Sequence, residues 1–343
     1  MEENKIIKAE DYFEPACPFC VDHHKNEPPV RSVPTDRILS KLDEHLGKDN
    51  YSAAERHLLY WLDEAKNGRD NRGMLLLKNE LMGLYRKLGR KDDAIGCAES
   101  ALEITEIMNI TDNIGAATTY LNSATVYKAF GMAEKAMPLF EKARCIYESD
   151  LKENDERLGG LYNNMGLALV DLKEFSQADE LYKKALDIMK NVSDSEPEQA
   201  ITYLNMANAA EAQFGLENAE SKITEYLEKA MELLPKQTSG WNGRIDYYAA
   251  EGLLAKVYLT KAGVTGTLNN DDLKKAAELA EDVILNSGRT LTPKYSDIFR
   301  MNPELYNQTG EHLLAWMWQA KDGAWTAQNT LQSDLGLKGF SGF

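Results

Sequence analysis

Four segments of this chain are versions of one another, and each reads as a pair of helices. Asn79–Leu102 (NELMGLYRKLGRKDDAIGCAESAL) is followed by Tyr120–Ala143 (YLNSATVYKAFGMAEKAMPLFEKA) and Tyr162–Leu186 (YNNMGLALVDLKEFSQADELYKKAL), and a fourth copy starts at Tyr203 (YLNMANAAEAQFGLENAE). The alanine opening the second helix falls at Ala94, Ala136, Ala178 and Ala219, spacings of 42, 42 and 41 residues. A degenerate copy places Ala54 in the same role, 40 residues before Ala94. A single helix pair cannot bury its apolar face until a neighbour stacks on it, so a period of this size specifies a solenoid. The expected product is a concave surface, and function is sought there before any pocket.

Within each copy, small residues (Ala124, Gly166, Ala207) fall midway along the first helix, where the partner helix must approach. Tyr85 and Tyr127 lie three positions further on, with Leu169 in the third copy, and Gly89 and Gly131 end the first helix in two copies. Ala98, Phe140 and Tyr182 fall inside the second helix, and Ala101, Ala143 and Ala185 follow three later. This order resembles the tetratricopeptide repeat over about residues 35–234. The usual 34-residue unit is lengthened here, as in the kinesin-light-chain type. The resemblance implies an all-α, right-handed solenoid of five or six helix pairs.

Outside the array the character differs. Residues 1–34 hold five of the ten prolines and read as an irregular lead-in, since proline removes a donor and disfavours helix before it. From Thr35 the pattern is helical, with Thr35 or Asp36 as a cap and Gly47 as a stop. Past Leu234, the stretch PKQTSGWNG has no helical period, and residues 235–343 form a third region. There the order RIDYYAAEGLLAKVYLTKAG, AAELAEDVILNSGRTLTPKYSDIF and EHLLAWMWQ resembles part of the SusD family of starch- and glycan-binding proteins, over about residues 243–320. Asn270 or Asp271 is the expected cap of its second helix, and an extended tail follows. The two resemblances together imply a fusion of two parents, engineered or natural, joined near Leu234–Gly243, with the SusD-like pair stacked on the array as one more repeat.

A net charge of −16 argues against binding nucleic acid, which requires neutralising cations. No apolar run reaches the roughly 18–20 residues of a membrane span. The N-terminus is acidic and lacks an apolar core, so it does not read as a signal peptide. The four cysteines are therefore expected as thiols in the cytoplasm. No phosphate loop, G-x-S-x-G or H-E-x-x-H occurs, and the chain is read as non-catalytic.

Asn122, Asn164 and Asn205 occupy one register position, 42 and 41 residues apart. Equivalent positions of a solenoid line one face, and an amide offers both donor and acceptor to a peptide backbone. In kinesin-light-chain-like repeats such asparagines hold the peptide main chain, and the resemblance implies that role for these three. The alternative is that they bridge neighbouring repeats. The first copy departs from the pattern with Glu80, although Asn79 is adjacent. Asn163, Asn208 and Lys128 are further groove candidates.

Cys17 and Cys20, with His23 and His24 just after, have the spacing of a partial zinc site; an unmetallated segment is the alternative. Zinc is the sole cofactor the sequence suggests. Cys97 and Cys145 are expected as small core residues. Trp241, Trp316, Trp318 and Trp325 are expected in packing, with sugar stacking as the alternative that the SusD resemblance raises. The leading reading is a scaffold that binds a peptide or protein segment in its groove, without nucleic acid or membrane partners and compatible with a small homo-oligomer. A glycan-binding module is second.

Overall fold

The computed structural model describes residues 29–48, 50–236, 246–264 and 269–289. Among the described residues there are twelve α-helices and no strand. They form six antiparallel pairs: α1 (Thr35–Leu46) with α2 (Tyr51–Gly68), α3 (Asn71–Lys87) with α4 (Lys91–Ile107), α5 (Ile114–Ala129) with α6 (Ala133–Asp150), α7 (Glu156–Asp171) with α8 (Phe175–Met189), α9 (Glu196–Phe214) with α10 (Leu216–Leu233), and α11 (Tyr247–Val264) with α12 (Asn270–Asn286). The protein is an all-α helical-repeat fold.

What sets the spacing inside each pair is an exchange of side-chain size. The repeat register sets the residue twelve before each marker alanine opposite the residue four after it. Gly166 meets Tyr182 directly, and Met82 with Ala98, Ala124 with Phe140, and Ala207 with Ile223 each share one buried cluster. All the non-glycine members are buried, at 5% exposure or less. Where the second helix carries its largest ring, the first carries no side chain at all. A Cβ built on Gly166 would lie 2.5 Å from Tyr182 Cε1. The fit leaves the Tyr182 hydroxyl buried without a partner, and burial pushes its pKa up.

The first helices end in left-handed residues, which turn the chain back without a long loop. Gly89 (φ 68°) and Gly131 (φ 74°) do this as glycine readily can, but in the next copy Lys173 holds the same conformation at φ 64°. The caps differ from expectation at two helices. Pro34, not Thr35 or Asp36, precedes α1; proline fits there because the first helical N–H groups have no intrahelical partner. Asn269 rather than Asn270 or Asp271 caps α12, accepting from the Asp271 and Asp272 N–H groups. Cys97 is buried as expected, whereas Cys145 is exposed: nine residues past Ala136, it lies on the outer face of α6 with no later helix over it.

The lead-in is fastened where α2 meets α3. Asp70 caps α3 by accepting from Gly73 N–H, and its other oxygen accepts from Val33 N–H, both at 2.9 Å. Arg31 N–H donates to Gly68 O at 2.9 Å. At the far end, α11 packs on α10, and one apolar cluster joins Ala207, Ile223, Leu227, Leu254 and Leu279 from four helices. Asp246 caps α11 and pairs with Arg289 at 2.7 Å, with side chains only 1% and 6% exposed.

Along the inside of the stack, first helices of successive pairs touch at α3–α5, α5–α7 and α7–α9, with no comparable approach of α4 to α6 or α6 to α8. The array therefore curves, with α3, α5, α7 and α9 on its concave side.

Two substitutions test this account. Gly166→Ala should cost about 1–3 kcal/mol by overpacking against Tyr182, read as a lower urea midpoint. Lys173→Gly should gain about 0.5–1 kcal/mol by relieving a left-handed non-glycine residue, read as a higher thermal midpoint.

Candidate functional site

The asparagines meet across the concave side, one repeat to the next. Asn122 Nδ2 donates to Asn79 Oδ1 at 2.9 Å, and Asn205 Nδ2 donates to Asn163 Oδ1 at 3.0 Å. Asn79 donates in turn to Leu75 O (2.9 Å) and Thr119 Oγ1 (3.1 Å), which ties α3 to α5. In both pairs the donor lies fourteen residues before its marker alanine and the acceptor fifteen before the preceding one. Between α5 and α7 that acceptor position is Leu121. Asn164 accordingly turns back on its own helix and donates to Gly160 O at 2.9 Å.

Counting atoms shows what remains. An amide has two N–H donors and an acceptor oxygen. Asn122, Asn164 and Asn205 each spend one N–H on the bonds above. Each keeps an acceptor oxygen and a second donor, all three half-buried on the inner face. Bridging between repeats and capacity for a ligand thus coexist in the same side chains. Asn163 accepts from Asn205; Asn208, three residues beyond Asn205, is exposed.

Charge is distributed along the same face. Lys128 lies 3.8 Å from Asp171 on α7, a half-exposed pair linking neighbouring repeats. One repeat earlier, Arg86 stands eight residues before Ala94 as Lys128 stands eight before Ala136. Arg86 is exposed, yet surrounding protein displaces enough water to hold its pKa below the usual arginine range. An exposed but poorly hydrated guanidinium is what a concave wall produces. Val170 and Glu211 hold the corresponding positions in the next two copies, so the cationic character fades toward α9. Glu80, on the same helix as Arg86, is pushed above the usual carboxylate range by burial and then by the charge of Asp43 on α1. Arg86 is absent from the sequence-derived candidates, although its register beside Lys128 was available to point to it.

A second cluster holds the array together at its first junction. Glu55 on α2, 7% exposed, accepts from Arg90 at 2.6 Å and from Tyr85 Oη at 3.3 Å. The guanidinium lies 4.3 Å over the Tyr85 ring. Burial, and then the charge of Glu55, raises the Tyr85 pKa. Every group faces a partner, so this cluster reads as a clasp between pairs. A surface cleft of about 460 Å³ lies between α1 and α2, lined by Arg37, Lys41, His57, Tyr60 and Trp61. Cys17, Cys20, His23 and His24, and the tryptophans at 241, 316, 318 and 325, lie outside the described residues.

Comparison with known proteins bears on the repeat directly. The tetratricopeptide repeat family matches at residues 159–196, which take in α8 and all of α7 but its first three residues. BtubC (BKLC) from P. vanneervenii has a similar structure, with a TM-score of 0.50 and 20% identity over 61% of this chain and 86% of that one. The fold is a tetratricopeptide-type helical repeat. A Podosopora anserina kinesin-light-chain structure with nearly identical TPR-like repeats gives a TM-score of 0.48 at 19% identity, covering 61% and 93% of the two chains. Part of the chain is similar to something else: a SusD-like protein of Bacteroides ovatus is 40% identical over 111 residues, 32% of this chain. The chain spans about a fifth of that relative's length, 19%. No described helix is long and apolar enough to cross a membrane.

The amide pairs make unequal predictions for stability. Asn79→Ala should cost about 1–2 kcal/mol, because it strands the Asn122 amide and removes the link to Thr119. Asn164→Ala removes one bond within a single helix and should cost less than half as much. Urea denaturation of the two variants beside the parent gives the comparison.

Proposed function

We propose that the concave side binds an extended segment of a peptide or protein partner, with Asn122, Asn164 and Asn205 holding its backbone. The observation that carries this reading is the residual bonding capacity of those three amides. Each offers one acceptor and one donor on the inner face of a successive repeat. An extended backbone offers one N–H and one C=O per residue, so it can satisfy both functions of each amide in turn. Asn163, Asn208 and Lys128 flank this line, and Arg86 adds a cationic wall at the α3 end. Binding rather than chemistry is the role proposed, with recognition done by shape and amides. On this reading residues 35–234 are the binding array, and the fusion of that array with a SusD-like segment accounts for the two kinds of relative.

The test is direct. Asn164→Ala and Asn205→Ala should each weaken a partner selected from a peptide library by about five- to tenfold, the loss of one or two hydrogen bonds, with circular dichroism unchanged in both. The thermal midpoint should be almost unmoved in Asn164→Ala and only modestly lower in Asn205→Ala, which also gives up its bond to Asn163. Unchanged affinity in both variants removes the ladder from the account.

A second reading, glycan binding of the SusD type, is favoured by the 40% identity to the SusD-like protein. It predicts a change in tryptophan fluorescence on titration with starch oligosaccharides, abolished by Trp316→Ala or Trp318→Ala. A flat titration counts against it.

A further inference from the structure

Glu251 is buried on α11 at 3% exposure. Tyr247 Oη donates to its Oε1 at 3.4 Å, but its Oε2 is buried with no donor in reach among the described residues. The group beside it is another acid, Asp282 on α12, placed within hydrogen-bonding reach. Asp282 is half-buried and also accepts from the Asn286 amide at 2.5 Å. Two ionised carboxylates in this arrangement would repel, and the one without water would carry a full desolvation cost. One proton removes both difficulties, since it turns the orphan oxygen into a donor to the facing carboxylate.

The remaining neighbours do not offer an alternative. Next to Glu251 on α11, Ala250 packs in an apolar cluster with Ala200 of α9, Ala230 of α10 and Leu234 just after it. Lys236 lies 4.1 Å over the Tyr247 ring and 5.8 Å from the Tyr248 ring; its charge favours the ionised acid but makes no ion pair with it. Asp246 and Arg289 neutralise each other at the start of the helix.

We propose that Glu251 and Asp282 share a single proton, forming a carboxyl–carboxylate latch between α11 and α12, and that losing the proton loosens the last helix pair of the stack. Burial first, then the charge of Asp282 and the bond to it, push the Glu251 carboxyl up to about 7 from its ordinary 4.5. The folded pair therefore holds its proton to higher pH than the unfolded chain does. The latch's contribution is complete below pH 4.5, declines as pH rises from 4.5 toward 7, and is absent above that. The last pair is thus tighter in mild acid than at neutral pH, opposite to the usual behaviour of ion-paired carboxylates.

Hydrogen exchange read by mass spectrometry on the full chain tests this, with protection factors corrected for intrinsic exchange. Between pH 5 and pH 8, protection of α11 and α12 should fall by about tenfold or more relative to α5 and α7. In Glu251→Gln an amide donor replaces the proton at every pH, so the profile should be flat while α5 and α7 are unchanged. A flat profile in the parent, or the same decline in Glu251→Gln, overturns the latch. Carbon-13 NMR titration of the Glu251 carboxyl gives the same decision independently: a midpoint near 7 supports the shared proton, and one near 4.5 rules it out.

Discussion

The structure depends on how closely the two helices of a repeat can approach. Helix pairs stack regularly only if each has nearly the same thickness, because interiors are packed to crystal density and transmit small misfits to their neighbours. The chain meets this condition with different residues in each copy: Met82 opposite Ala98, Ala124 opposite Phe140, Gly166 opposite Tyr182, Ala207 opposite Ile223. The volume across the contact is shared out differently each time. What is repeated is a distance, which is why the copies diverge in sequence and still curve together. That curvature brings α3, α5, α7 and α9 edge to edge and sets the asparagines within one amide's reach of each other.

Much of this was legible because it is local or periodic. The marker alanines gave the helix pairs, and the small residues at 124, 166 and 207 gave the contact points, since both follow from the chain's own period. Helix starts were less legible. Thr35, Asp36, Asn270 and Asp271 are all competent caps by type, but which residue flanks a helix depends on where the preceding turn delivers the chain, so Pro34 and Asn269 took those places. The burial of Cys145 was misjudged for a similar reason. Its helix belongs to the array, but its register turns it away from both neighbours, and only the stacking of α6 reveals that.

The asparagine ladder shows where the period itself misleads. Reading one register position suggests that Asn122, Asn164 and Asn205 contact each other and that Glu80 breaks the series. In the folded chain successive first helices are offset by one residue, so Asn122 meets Asn79 and Asn205 meets Asn163. The apparent exception in the first copy is the acceptor of its first bond. Leu121 interrupts the same pattern between α5 and α7 and leaves Asn164 bonded only within its own helix. An offset between neighbours is a property of the stack, and no single copy carries it.

The register of the repeat stops at Ala219, but the stacking does not. Ala276, the next residue of that kind, lies 57 positions on, and the intervening residues belong to a segment of different resemblance. Yet α11 places Leu254, Ala255 and Val257 against Ala207, Ala219, Ile223 and Leu227 in one continuous cluster. What the end of a solenoid requires is a partner for its last apolar face. A strict period is one way to supply that partner, and it is not the only way. The last pair compensates for leaving the period with polar bonds of its own: the buried Asp246–Arg289 ion pair joining the start of α11 to the end of α12, as Glu55 and Arg90 join pairs at the other end, and the facing acids Glu251 and Asp282. Burying charge and sharing a proton are directional, and they cost more to misplace than aliphatic contacts. They fix the relation between α11 and α12 where sequence repetition no longer can.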